Sequence, residues 1–171
     1  TYSHLFNIPS TGMRFFTVYG PWGRPDMALF LFTKSIIENK TINVFNDGNM
    51  IRDFTYIDDV IESVFRLIQK KPKKNNAFNF NKPNPSISWA PHRVFNVGNS
   101  SPVKLLEFIQ IIEKKLEKVA VKKFCPMQPG DVRETTADTS LLENYINFKP
   151  KTTVEYGVGK FVEWYIDYYK V

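Results

Sequence analysis

The chain has 171 residues, of which 43% are hydrophobic and 23% charged, a composition typical of a globular protein. Fifteen Phe, eight Tyr and three Trp argue against intrinsic disorder. A single Cys (Cys125) excludes a disulfide framework and a cysteine zinc site, and two separated His (His4 and His92) disfavour a metal site. No apolar run reaches the roughly 18 residues of a membrane span and no signal peptide opens the chain, so we expect a cytoplasmic location.

The net charge of +6 raises the question of an anionic partner. The lysines cluster in two stretches, 70–82 and 114–123, which lie at the ends of amphipathic runs or in loops. No interleaved aromatics or nucleic-acid motif accompany them. The pattern favours a solvated surface, with an anion-binding patch as the alternative and a nucleic-acid partner as the least favoured reading.

Apolar periodicity predicts strands that alternate with helices. In chain order these are a buried strand at 12–19, a helix at 27–39, strands at 42–45 and 52–57, a helix at 58–70, a strand at 93–97, a helix from Ser101-Pro102 to about 119, a strand at 119–124 and helices at 139–145 and 158–169. In the helix at 58–70, the residues predicted to face inward are Ile61, Val64, Phe65 and Ile68. Residues 71–92, rich in Pro and Asn, form one long loop. The alternation predicts an α/β fold.

The first informative segment is RFFTVYGPWGRPDMA, residues 14–28. A buried strand brings Thr17 to its end, and a Gly/Pro loop then carries Arg24. Ligands of open α/β sheets bind beyond the carboxyl ends of strands, and Arg holds carboxylates and phosphates in a bidentate fork. The segment therefore predicts an anion site where Thr17 and Arg24 converge; the alternative is a strand, a turn and a surface arginine.

The second segment is RDFTYIDD, residues 52–59. Arg52 opens a strand after a polar turn, where it can meet an anionic ligand; alternatively, Asp53 pairs with it in a structural ion pair. Asp58 and Asp59 could be mistaken for paired catalytic carboxylates, but their position predicts the N-terminus of a helix.

The third segment is QPGDVRETTAD, residues 128–138, which is polar and rich in turn formers. Gln128 and Asp131 are candidates to hold a ribose, since a carboxylate accepts hydrogen bonds from vicinal hydroxyls. Arg133 is either a ligand group or a surface residue, and Asp138 is a candidate helix cap.

Together, these segments resemble the extended short-chain dehydrogenase/reductase nucleotide-sugar epimerases. RFFTVYGPWGRPDMA is similar to the UDP-glucuronate 4-epimerase branch, and RDFTYIDD, FNVGNSSPVKLLEFI (95–109) and QPGDV with TTAD follow in the family's order. The resemblance implies an α/β fold built from the last parallel strands of a Rossmann-like NAD domain and a small α/β substrate-binding domain. It covers the chain except for the 71–92 loop.

The resemblance also implies site residues. Thr17 and Arg24 resemble the residues that recognise the glucuronate carboxylate and position the hexose, and Arg52 resembles the arginine on the UDP diphosphate. The remaining matches are Val44 and Phe45 at the uracil site, Gln128 and Asp131 at the ribose, and Phe15 and Phe16 beside the nicotinamide. Many relatives have Arg where this chain has Gln128.

Two motifs of the family are not found in the sequence. Its eight glycines form no Gly-x-x-Gly-x-x-Gly loop for NAD. Two Tyr-x-x-x-Lys spacings occur, at Tyr145/Lys149 and Tyr156/Lys160, but neither lies where the family places its catalytic pair, and Pro150 excludes the first as a mid-helix pair. We therefore expect residues 1–171 to be the C-terminal, mainly substrate-binding portion of a longer enzyme, with no catalytic residue of their own.

The function that the resemblance implies is binding of a UDP-sugar in an NAD-dependent epimerase that converts UDP-glucuronate to UDP-galacturonate through a 4-keto sugar, within polysaccharide biosynthesis. The missing N-terminal half would bind most of the NAD, the full enzyme would be a homodimer, and the chain alone would be inactive. The alternatives are a decarboxylase, dehydratase or other epimerase of the same superfamily, and a non-catalytic sugar-nucleotide-binding module.

Overall fold

The computed structural model describes residues 1–171, in which helices and strands alternate along the chain. The helices are α1 (Tyr2–Phe6), α2 (Ala28–Ile37), α3 (Ile57–Gln69), α4 (Leu105–Leu116), α5 (Ser140–Ile146) and α6 (Val154–Tyr169). The strands are β1 (Ser10–Phe15), β2 (Thr17–Tyr19), β3 (Ile42–Phe45), β4 (Ile51–Tyr56), β5 (His92–Val97), β6 (Pro102–Lys104) and β7 (Lys122–Cys125). No helix combines the length and the apolarity that crossing a bilayer requires.

The strands form three small sheets, in which most neighbours run parallel. β1 pairs with β5, β3 pairs with β7, and β2 pairs with β4, all in parallel, whereas β6 lies antiparallel to β4. Parallel strands joined through helices confirm the predicted α/β class. The single strand predicted at 12–19 is divided at Phe16, whose N–H donates to the Val97 carbonyl over 3.0 Å.

The main hydrophobic core lies between α2, α4, α6 and strands β2, β3 and β4. Phe108 of α4 is completely buried and stacks on Phe54 of β4, with ring centroids 4.1 Å apart. Tyr19 of β2 lies against Gly157 of α6 so closely that a Cβ on that glycine would meet the phenol oxygen at 2.3 Å. This close packing fixes α6 against β2, the strand that begins at Thr17.

Two local predictions were wrong. α3 buries Val60, Ser63 and Leu67, so that the apolar residues expected inside at 61, 65 and 68 are 58%, 58% and 70% exposed. The apolar side chains of α3 occupy two stripes, and the sheet beneath covers only one of them. Ser101-Pro102 does not start a helix either, because Pro102 begins β6 and the helix starts at Leu105.

No helix or strand lies between the end of α3 and His92. The side-chain oxygens of Asn75, Asn79 and Asn84 each accept a backbone N–H two residues further on, which stabilises successive turns. The aspartates at the start of α3 lie in its first turn, as predicted. Asp59 uses its Oδ2 to accept the N–H groups of Lys151 and Thr152, at 3.2 and 2.9 Å, and so ties α3 to the segment before α6.

Gly48 and Gly130 offer a matched pair of glycine substitutions, since both have left-handed φ, +80° and +83°. A Cβ on Gly48 would lie 2.7 Å from Leu106 Cδ2, whereas nothing lies within 4 Å of one on Gly130. We expect Gly130→Ala to cost about 1 kcal/mol through backbone strain and Gly48→Ala a further ~1–3 kcal/mol through overpacking. Urea unfolding of both variants measures the difference; equal costs would contradict the packing of Leu106 on this turn.

Candidate functional site

Four residues from distant parts of the chain meet at one cavity of about 220 Å³. Thr17 follows the end of β1, Phe45 is the last residue of β3, Arg52 lies near the start of β4, and Asp131 belongs to the segment before α5. The other lining residues are one amide and six apolar side chains: Asn43, Met27, Ala28, Phe32, Met50, Phe54 and Leu105. The cavity thus combines an apolar wall with an ion pair, an amide and a hydroxyl, the usual composition of a small-molecule site.

The alternation of β3 decides which of its residues reach the cavity. Successive side chains of a strand point to opposite faces. Asn43 and Phe45 line the cavity, whereas Ile42 and Val44 face the core, and Val44 has no exposed surface at all. Of the two residues predicted at the uracil site, Phe45 therefore lines the cavity with its side chain, whereas the side chain of Val44 belongs to the core.

Arg52 is the cation of the cavity, and its side chain is only 18% exposed. Its Nη2 donates to Asp131 Oδ1 at 2.8 Å, and its Nη1 donates to the carbonyl oxygens of Ile51 and Arg133 at 2.9 and 3.2 Å. A guanidinium has five N–H donors, so two remain for a ligand. The protein fixes the guanidinium plane and leaves it donors for an anion.

Asp131 is the acidic partner of Arg52 in this ion pair. Its Oδ1 accepts from Arg52 and from the Val132 N–H, the latter at 2.8 Å, while its own N–H donates to the Gln128 carbonyl at 3.2 Å. Its Oδ2 has no hydrogen-bond partner in the protein and is free to accept from a hydroxyl. Gln128 contributes this turn through its backbone, but its exposed side chain does not line the cavity.

Asp53 does not pair with Arg52, which corrects the alternative raised from the sequence. The two residues are adjacent on β4, so their side chains point to opposite faces. The Asp53 carboxylate is completely buried and accepts three backbone N–H groups, from Asn99, Ser100 and Ala137.

Arg24 does not converge with Thr17 on the cavity. Its guanidinium is 74% exposed and makes a bidentate pair with Asp26, a competing carboxylate two residues away. Hydrogen bonds from Arg24 lower the pKa of the Asp26 carboxyl below its ordinary value. Asp26 itself lines an adjoining cavity of about 390 Å³, which shares the residues at 28, 32, 43 and 45 with the first. Asp26 thus both pairs with Arg24 and borders this second cavity.

The remaining predicted residues lie outside the cavity. Phe15, at the end of β1, is half exposed, and Phe16 is partly buried between β1 and β2. Arg133 has an exposed side chain and supports the site through its carbonyl oxygen. Asp138 is not the N-cap residue of α5, which is Thr139, but its Oδ1 lies one residue earlier and accepts from the Ser140 N–H over 3.1 Å. Nothing in the structure tests the cofactor contact expected of Phe15 and Phe16.

Two larger clefts lie elsewhere on the surface. One of about 430 Å³ separates the 99–103 segment from the start of α6, and one of about 560 Å³ is lined by Lys70, Lys71, Lys73 and Arg93. Neither includes a residue predicted to bind the sugar nucleotide. The lysine-lined cleft is where the anion-binding patch considered from the sequence would lie.

Sequence reasoning missed the apolar wall of the cavity. Asn43 was detectable, because it alternates with Phe45 on a strand of period two. Met27, Phe32 and Phe54 carry no such signal, since apolar residues on a helix or a central strand are indistinguishable from core residues in one sequence.

Comparison with known proteins shows which family this chain is similar to. Residues 1–81 match the model of the NAD dependent epimerase/dehydratase family. The chain is 56% identical over 170 residues to "Protein CapI" of Staphylococcus aureus and 47% identical over 171 residues to a probable UDP-glucuronate 4-epimerase of Rhizobium meliloti, covering 99% of this chain and 51% and 50% of those proteins.

Among solved structures, the UDP-glucuronic acid 4-epimerase of Bacillus cereus, in complex with UDP-glucuronic acid and NAD, superposes with a TM-score of 0.82 at 31% identity. The match covers 98% of this chain and 48% of that one. The chain spans about half the length of the curated relatives it matches.

The fold and the matches define a class. Almost the whole chain resembles about half of an NAD-dependent nucleotide-sugar epimerase or dehydratase of the extended short-chain dehydrogenase/reductase type. Within that class, it resembles the proteins named UDP-glucuronate 4-epimerase. The resemblance seen in the sequence motifs is thereby confirmed.

Proposed function

We propose that this chain is the mainly substrate-binding, C-terminal portion of an NAD-dependent 4-epimerase that acts on UDP-glucuronate. The observation that carries the proposal is the meeting of Phe45, Arg52 and Asp131 at one cavity. An aromatic face, a fixed guanidinium and a free carboxylate oxygen are complementary to a base, a diphosphate and a ribose. The names of the relatives indicate that this nucleotide is UDP.

Each group of the ligand has a partner in this proposal. The ring of Phe45 packs against the uracil, Asp131 Oδ2 accepts from the ribose hydroxyls, and the two free N–H groups of Arg52 bind the diphosphate. Thr17 donates to the hexose, and Gln128 lies at the ribose end. In this assignment Val44 acts through its backbone, because its side chain belongs to the core.

We propose that most of the NAD-binding surface lies outside this chain. No helix begins at a Gly-x-x-Gly-x-x-Gly loop; the four longer helices α2, α3, α4 and α6 have Met27, Tyr56, Lys104 and Thr153 as their N-cap residues. We therefore assign most of the cofactor binding, and the hydride and proton transfers of 4-epimerisation, to residues outside this chain. Phe15 and Phe16 remain proposed contacts to the nicotinamide side.

Exposed apolar surface supports a covering segment in the longer protein. Ile61, Phe65 and Ile68 form an exposed stripe on α3, and β1 pairs on one edge only. An unpaired strand edge next to an apolar face is rarely left open. We propose that the other half of the polypeptide covers this surface. A homodimer and a cytoplasmic location remain expectations of the family resemblance.

The test is the activity of the purified chain with and without the rest of the enzyme. We expect residues 1–171 to bind UDP but to form no UDP-galacturonate from UDP-glucuronate and NAD, as followed by chromatography. Joining an N-terminal half that carries the glycine loop and the Tyr-x-x-x-Lys pair should restore turnover. Epimerisation by the chain alone would overturn the assignment of the chemistry to the other half.

A neutral UDP-sugar is a second candidate substrate, and the position of Arg24 favours it. Its guanidinium is already paired with Asp26, so a uronate carboxylate has to compete for it. In the joined enzyme, Arg24→Ala should lower the preference for UDP-glucuronate over UDP-glucose about tenfold or more if Arg24 turns to the substrate, a charge-assisted hydrogen bond being worth ~1.5–3 kcal/mol. An unchanged ratio of kcat/KM values would instead support the neutral sugar.

A further inference from the structure

We propose that Asp53 is a positioning residue that sets the register of residues 131–137 against β4 and thereby holds Asp131 at the cavity. The inference rests on the proposed function, since it assigns a role in the same site to a residue that touches no ligand. It starts from an unusual observation: Asp53 carries a carboxylate with no exposed surface and no cation beside it. Such a charge persists in a protein only when hydrogen bonds satisfy its oxygens.

Three backbone N–H groups from two separate loops supply those hydrogen bonds. Asn99 donates to Oδ1 at 3.2 Å, and Ser100 and Ala137 donate to Oδ2 at 3.0 and 2.9 Å. The carboxylate is also tightly packed: a Cβ on Gly98 would lie 2.3 Å from the Ala137 Cβ and 3.2 Å from Asp53 Oδ2. One side chain therefore joins the loop after β5 to the segment before α5.

The segment before α5 follows β4 step by step. The Ile51 N–H donates to the Arg133 carbonyl at 2.9 Å, the Thr135 N–H donates to the Ile51 carbonyl at 3.1 Å, and Ala137 is bonded to Asp53. These hydrogen bonds hold every second residue of the segment: Arg133, Thr135 and Ala137. The bond from Ala137 is the last of the series, and Asp131 lies beyond the first. On the opposite face of β4, the Arg52 guanidinium donates a hydrogen bond to Asp131 Oδ1 over 2.8 Å. In this proposal, Arg52 binds the ligand directly, and the adjacent Asp53 positions Asp131, the second residue that binds it.

The test compares Asp53→Asn with a second substitution at a completely buried residue, Leu142→Ala, in the purified chain. Asparagine keeps the shape but replaces one carboxylate oxygen with an NH₂ group, so at least one of the three backbone N–H donors loses its acceptor and the remaining hydrogen bonds lose their charged acceptor. Leu142 of α5 is completely buried in a different cluster, with side chains of α3 and β5, and does not line the cavity. Titration calorimetry with UDP, well below both unfolding midpoints, should show an affinity loss of about tenfold for Asp53→Asn and less than about twofold for Leu142→Ala. Equal losses would reduce Asp53 to an ordinary structural residue.

A second measurement needs neither the variant nor the ligand. In the unmodified chain, the amide protons of Asn99, Ser100 and Ala137 should exchange slowly with solvent and resonate downfield, as donors to a buried carboxylate. Exchange of Ala137 as fast as that of the exposed turn at 128–131 would overturn the proposal, even if Asp53→Asn does not fold. Failure of the unmodified chain to bind UDP would count against the proposed function alone, because the amide protons still report on the hydrogen bonds to Asp53.

Discussion

Replacing Phe108 by alanine should lower the free energy of unfolding by about 3–5 kcal/mol, the usual cost of deleting a buried aromatic ring. Phe108 has no exposed surface, and its ring stacks on Phe54 at 4.1 Å with an interplanar angle of 6°. Phe54 also lines the cavity, so the stack joins the core to the site. Small domains are stable by only about 5–15 kcal/mol, and a loss of this size is a large fraction of that total.

Phe80→Ala is the matched control, since it removes the same ring from a side chain that is 71% exposed in the long loop. We expect that variant to lie within about 0.5 kcal/mol of the parent chain. Urea unfolding followed by circular dichroism measures both. Similar costs at the two positions would show that α4 does not pack on β4 as described.

Replacing Arg52 by alanine should weaken UDP binding by about 10- to 100-fold, because hydrogen bonds to a charged group contribute ~1.5–3 kcal/mol. The substitution removes the two free N–H donors and also frees Asp131, whose negative charge then faces the diphosphate without compensation. Uridine lacks the diphosphate, so its affinity should fall much less. Calorimetric titration with UDP and with uridine separates the two contributions.

Arg66→Ala is the control for a lost arginine. Arg66 pairs with Glu62 along α3 and lies over the ring of Phe148, far from the lining of the cavity. Its removal should leave the affinity for UDP unchanged within a factor of about two. If both variants lose affinity equally, the effect reflects the overall positive charge of the chain, and Arg52 has no special place in the site.

Local sequence patterns identified three residues that line the cavity, and the ligand-binding role of that cavity stays a prediction. Thr17, Arg52 and Asp131 came from polar residues that interrupt or end apolar runs, and the structure brings them together. The rule that strand side chains alternate, applied more strictly, would also have separated Phe45 from Val44 and Arg52 from Asp53. The opposite orientation of these side chains could therefore have been predicted from the sequence.

The remaining differences depend on tertiary structure. Arg24 was expected at the ligand, but only the folded loop reveals that Asp26 satisfies its guanidinium. Helix α3 carries two apolar stripes, and nothing in its own sequence says which of them the sheet covers. The sequence of β1 and β2 reads as one strand, and the division at Phe16 follows from their pairing with different partners, β5 and β4.

The central claim is that residues 1–171 bind a UDP moiety at the cavity between β3, β4 and the 131–137 segment. Titration of the isotope-labelled chain with UDP, followed through its backbone amide resonances, tests this claim most directly. We predict saturable shifts at Thr17, Phe45, Arg52 and Asp131 and none at the lysine-lined cleft. No binding, or shifts confined to Lys70, Lys71, Lys73 and Arg93, would contradict the claim and leave this cavity without a function.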